Sequence, residues 1–307
     1  MVGEKLPIEK FEVVNRIPKS HLKRLPKTLP VFRYSEKPKE LSTVALQELV
    51  DLSAFKGTNI AEMLRAHTNT VTVDRPFRLA TANNVDYLTI DPVRGGILVF
   101  NHDSGVNLRS NTPAYDSIPS FDSIRDRVLH HAQMFGVTTN EMERKDDGSF
   151  RLQKTDATTV ARGGAVKFIS RRSVGVSRNI EGYTLLGNDD KVEMVLGANG
   201  KLEQFHMQWR PMTAVLTNRL YGISEIMDQI KAGRALARSG NKYPDDGIAK
   251  IILKDIRIQY YVPIQPRSAP VPTNTDIIPI ASILAEFKSK SGKSIEGVVF
   301  APIRDSR

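Results

Sequence analysis

One stretch, KVEMVLGANGKLEQFHMQWRPM at 191–212, constrains the fold more than any other. Val192, Met194 and Leu196 alternate with polar neighbours, the period-2 pattern of a strand with one buried face. Gly197, Ala198, Asn199 and Gly200 supply a turn, because Asn-Gly tolerates the positive φ that tight hairpins need. On the return, Phe205, Met207 and Trp209 share one face while Gln204, His206 and Gln208 share the other. Pro211 has no amide to give to a ladder and marks the exit. Such a hairpin demands an antiparallel sheet with one covered face. Trp209, the one tryptophan of the chain, is expected on that face beside Phe205 and Met207.

Around the hairpin, helical and β patterns alternate. Residues 1–30 are basic and punctuated by proline, and read as an arm or tail laid on the domain. A basic anchor near a membrane or wall is the functional alternative for them. A short strand at 31–34 precedes a helix at 43–55, capped by Thr43, with Leu46, Leu49, Val50 and Phe55 on one face. From residue 70 a meander of strands follows, through Ile97-Leu98-Val99-Phe100. A second helix opens after Pro119, carries Ile124, Val128, Leu129, Ala132 and Phe135, and stops at Gly136. Further strands lead to the hairpin. A third helix is expected at 224–237, with Ser224 as its cap. A long strand at 250–262, a proline-rich loop and two final strands end the chain.

This order, a helix followed by a meander, more than once, resembles the PepSY-type and YycI-like modules of bacterial extracytoplasmic proteins. The residues that carry the resemblance are ILVFNHDSG at 97–105, SIRDRVLHHAQMFGV at 123–137 and the hairpin itself. YGISEIMDQIKAG at 221–233, DIRIQYYVPI at 255–264 and GVVFAPI at 297–303 continue it. The resemblance implies an α+β fold of antiparallel sheets, each packed by a helix, in repeated modules at 31–115, 116–215 and 216–307. It also implies a non-enzymatic binding or regulatory protein outside the cytoplasm, whose partners include peptidases and sensor kinases. No catalytic residue carries over. No apolar run reaches the roughly 20 residues that cross a bilayer, and no signal-like run opens the chain. An exported form would carry its signal or anchor outside this sequence, and such an anchor would bring the protein near a membrane.

The chemistry legible in the residues is sparse. With no cysteine, disulfides, thiolate metal sites and cysteine nucleophiles are excluded. The net charge of +10 suits an acidic polymer, lipid or nucleic acid. The cations are dispersed and not interleaved with aromatics, which argues against nucleic acid. Of the histidines (His21, His67, His102, His130, His131 and His206), the adjacent pair His130-His131 points about 100° apart on a helix and cannot make an i, i+4 metal pair. His102-Asp103-Ser104 reads as a polar turn rather than a nucleophile set. The doublets Asp146-Asp147, Asp189-Asp190 and Asp245-Asp246 suit turns better than paired catalytic acids or a calcium site. No metal and no cofactor is therefore expected. The binding candidates are Trp209 and Arg210 at the hairpin's end, with Tyr260 and Tyr261. In the 250–262 strand, Lys254, Arg257 and Gln259 are polar, so this strand is expected at or next to a sheet edge, where Arg257 and Gln259 would meet a partner segment by β-augmentation. The expected function is recognition of a protein or cell-surface polymer through a sheet face or edge. An enzyme acting on a wall or extracellular polymer, and a structural subunit of a surface assembly, are the alternatives.

Overall fold

The computed structural model describes residues 4–6, 11–35, 41–68, 77–81, 86–91, 95–100, 118–160, 167–186, 190–239, 247–262 and 276–304. The order begins β1 (Glu4–Lys5), β2 (Glu12–Asn15), α1 (Lys19–Leu22), β3 (Thr28–Tyr34), α2 (Thr43–Asp51) and α3 (Ile60–Thr68). It continues β4 (Phe77–Ala80), β5 (Tyr87–Asp91), β6 (Gly96–Phe100), α4 (Phe121–Met134), β7 (Leu152–Val160) and β8 (Lys167–Ser177). Then come β9 (Asn179–Ile180), β10 (Tyr183–Leu186), β11 (Lys191–Leu196), β12 (Leu202–Gln208) and β13 (Met212–Arg219). The chain ends α5 (Ile223–Lys231), β14 (Leu236–Ser239), β15 (Ile248–Tyr261), β16 (Asp276–Ser289) and β17 (Ser294–Pro302).

Strand accounts for 51% of the described residues and helix for 21%. This corrects the α+β expectation of repeated modules, each a sheet under its own helix. The fold is mainly sheet, and its strands are gathered from distant parts of the sequence into two compact units.

One unit comprises Ser35–Gly182 and Asp189–Pro211. Its seven strands run in the order β4-β5-β6-β12-β11-β8-β7, every neighbouring pair antiparallel. The expected hairpin is present and sits near its centre, with Val192 opposite Met207 and Met194 opposite Phe205. Asn199 and Gly200 take φ of 56° and 68° in the turn, which is why Asn-Gly stands there. Alternate residues of β5, β6, β8, β11 and β12 form one core with Leu46 and Leu49 of α2, Ile60 of α3 and Ile124 and Val128 of α4. Trp209, Phe205 and Met207 all lie buried in this core. The starts of α2 and α4 are each set by a serine immediately before the helix. Ser42, rather than Thr43, caps α2 by accepting from the Ala45 amide at 3.2 Å, and Ser120 does the same for Ser123 at 3.2 Å. Gly136, at φ 70°, closes α4: its amide reaches the Gln133 carbonyl and the Val137 amide reaches that of Ala132.

The other unit comprises Met1–Tyr34, Tyr183–Asn188 and Met212–Arg307. Its spine is β16, flanked by antiparallel β15 and β17, with β14 beyond β17 and β1 beyond β14. Two parallel pairings, β2 and β10 on β15, make this sheet mixed. The third helix starts earlier and ends sooner than the sequence suggests. Gly222 precedes α5, its amide bound to the Glu225 carboxylate at 2.7 Å, and Leu236 already belongs to β14. Ile226 and Ile230 of α5 pack into a core with Leu253, Ile283, Phe287 and Val299.

Candidate functional site

Trp209 and Arg210 follow β12 directly, and the structure turns both inward, at 1% and 3% exposure. The indole Nε1 donates to Glu141 Oε2 at 3.3 Å, and the ring lies 5.2 Å from the Arg178 guanidinium. Arg178 is itself buried. It donates to Glu141 Oε1 at 2.6 Å, to Asp190 Oδ2 at 3.5 Å and to the Arg210 carbonyl. Arg210 in turn gives two hydrogen bonds to the Ser35 carbonyl, at 3.2 and 2.9 Å. Burial pushes the Glu141 carboxyl up, but the Arg178 charge and the hydrogen bonds from Arg178, Trp209 and Thr138 outweigh it, and its pKa lies below the usual value. These side chains brace the end of the hairpin and present no free aromatic face to a ligand.

The candidates on β15 divide by parity. Tyr260 is fully buried, its hydroxyl donating to the Pro30 carbonyl at 3.0 Å and its ring meeting Phe32 and Tyr183 edge-on. Gln259 and Tyr261 are half-buried, and Arg257 is exposed, 3.9 Å from Asp255. Among the described residues the ladders place this strand next to an edge: β2 pairs with no strand but β15, and residues 255–259, with Arg257 and Gln259 among them, have a ladder partner on the β16 side only. β16 pairs with β15 from end to end; on the other side β2 pairs with Lys250–Leu253 and β10 with Leu185 and Leu186 against Tyr260 and Tyr261.

The remaining polar candidates are mostly engaged. Asp147 accepts from the Ser149 hydroxyl and amide, the turn expected for its doublet, while Asp190 is buried against Arg178. His131 is buried with Nδ1 on the Arg127 carbonyl; His130 reaches Glu48 at 3.2 Å, and His21 reaches Asp255 at 2.8 Å. His206 is half-buried on β12. His102, Asp103, Ser104, Asp189, Asp245, Asp246 and the His67 side chain lie outside the described residues. Among the described residues no three His, Asp or Glu group into a metal site, and no helix is long and apolar enough to cross a membrane.

Among the described residues, an open edge without charges over most of its length belongs to β13, a strand the sequence pattern did not reveal. Among the described residues β13 pairs with β3 alone, from Met212 opposite Tyr34 to Arg219 opposite Thr28. Residues 213–217 are exposed in succession, so both faces of the strand meet solvent. Val215 and Leu216 are 41% and 44% exposed, large for apolar side chains on a strand. No charge occurs from 212 to 218. Val215 is the extra residue of a bulge, which divides the free edge into a short and a longer half. Arg219 closes it, 3.4 Å from Glu225. An edge of this kind offers a row of backbone donors and acceptors with none of the charges or prolines that usually guard such strands.

No protein-family model matches this chain, and no curated protein matches it significantly.

Proposed function

We propose that this is a non-enzymatic binding protein that captures an extended segment of a partner protein as a strand added to β13. The observation that carries this reading is the eight-residue edge, paired on one side, exposed on both faces and uncharged from 212 to 218. Backbone bonds along an edge match another peptide backbone, which favours a protein partner over a sugar polymer. Val215 and Leu216 would supply apolar contacts to side chains of that segment. A second copy of this chain is the weaker occupant, because two molecules of net charge +10 repel. A segment with acidic flanks fits better. The resemblance to extracytoplasmic binding modules supports the same class of function and an extracytoplasmic setting. In the acidic doublets, Asp147 is tied into its turn and Asp190 is buried against Arg178, so these two lend no support to polymer hydrolysis.

Selection from a displayed library of unstructured peptides tests the reading. Extended binders with acidic flanks are expected, and Val215→Lys with Leu216→Lys should abolish their binding while the melting temperature stays put. Binders that ignore both substitutions, or none at all, would sink it. A dimer in sedimentation that the same substitutions dissolve would assign the edge to a second copy instead.

A further inference from the structure

A second feature, independent of β13, lies between α4 and the residues that lead into β7. Arg125 and Leu129 of α4, Arg144, Lys145, Ser149 and Phe150 of a tight turn, and Leu152 and Lys154 of β7 line an open cleft of about 520 Å³. That volume is within the range of small-molecule sites. Four of its lining residues are cationic and none is a carboxylate. Asp122 and Asp126 hold Arg125 at 2.9 Å each, so its charge is largely answered. Among the described residues no ion pair joins Arg144, Lys145 or Lys154 to a carboxylate; the nearby Asp147 accepts from Ser149 and also feels the charge of Lys145.

Arg144 and Lys154 are set in place before any ligand arrives. The Arg144 guanidinium lies over the Phe150 ring, 4.4 Å from its centre, and donates to the Gly148 and Thr139 carbonyls at 2.7 and 3.4 Å. The turn beneath it is closed by the Lys145 amide on the Ser149 carbonyl at 2.8 Å. Lys154 Nζ stands 5.3 Å from the centre of the Phe121 ring. A planar guanidinium fixed this way is suited to a phosphate or carboxylate, with the lysines adding point charge. Leu129, Phe150 and Leu152 contribute apolar surface to the same cleft. From this convergence we infer that the cleft binds an amphipathic anion, an apolar or aromatic body carrying a phosphate group held by Arg144, Lys145 and Lys154.

Titration of the whole protein with 1-naphthyl phosphate, followed by calorimetry and by amide NMR shifts, tests this. Saturable binding is expected, with shifts confined to residues 121–129 and 144–154 and an affinity that falls as salt rises. Inorganic phosphate should bind the same residues more weakly, and neutral 1-naphthylmethanol should not compete. The exposed pair Lys145→Gln and Lys154→Gln should weaken binding by about tenfold or more, a change of about 1.4 kcal/mol, without altering the fold as judged by the NMR spectrum. Absence of binding, equal binding of the neutral alcohol, or an affinity indifferent to both substitutions would overturn the assignment.

Discussion

At the scale of single residues, the energetics concentrate where the hairpin ends. Trp209 joins two roles: its ring fills the core beside Phe205 and Met207, and its Nε1 holds Glu141 against Arg178. Removing a large buried aromatic leaves a cavity, and Trp209→Ala should destabilise by about 3–5 kcal/mol in urea denaturation. Unchanged stability would mean that the ring is not packed as described. His131 gives a pH signature. Burial, the largest influence, holds its imidazole below the ordinary value, aided by the charges of His130 and Arg127 and opposed by its bond to the Arg127 carbonyl and by Glu48. An unfolded histidine takes its proton near pH ~6.5, before the buried one does, so over that window the unfolded state binds more protons. The associated stability is complete above that pH and declines as pH falls below it. Melting curves should show this decline in the parent protein and a shallower one in His131→Gln; identical slopes would exclude His131 as the source.

At the scale of elements, one contrast explains what the sequence could reveal. β11 and β12 each bury one face, so polar and apolar residues alternate and the hairpin, its turn and the burial of Trp209 were legible. β13 buries neither face, so Thr213, Ala214, Val215, Leu216 and Thr217 show no alternation and the period-2 signal vanishes. In β15 the polar positions Lys254, Arg257 and Gln259 suggest an edge. Side chains point out of a sheet's faces, while ladders run within its plane, so polar side chains say nothing about whether a strand has a neighbour on each side. Lys254, for example, is paired across the face with Glu286 and Glu296 on β16 and β17. The element-level prediction follows. A lysine at Val215 or Leu216 touches no core and should change stability by no more than about 0.5 kcal/mol in urea denaturation, as for other surface positions. A loss of several times that amount would show that β13 is covered.

At the scale of the whole molecule, neither unit is a continuous segment. β6 pairs with β12 across about a hundred residues, and β2 and β3 at the start of the chain join β15 and β16 near its end. A local pattern of helix and meander names elements but not their distant neighbours, which is why it suggested repeated modules where the chain builds two large sheets. The binding candidates were limited in the same way. Aromatic and arginine side chains could be recognised as special, but the partners that bury Trp209, Arg210 and Tyr260 come from far along the sequence. The central claim is that β13 is an open edge, and amide hydrogen exchange resolved by residue tests it without any partner. In an antiparallel pair alternate amides face the neighbouring strand, so the account predicts protected and rapidly exchanging amides in alternation along β13, interrupted at Val215, with continuous protection over Ile251–Leu253 of β15. Uniform protection throughout β13 would contradict it.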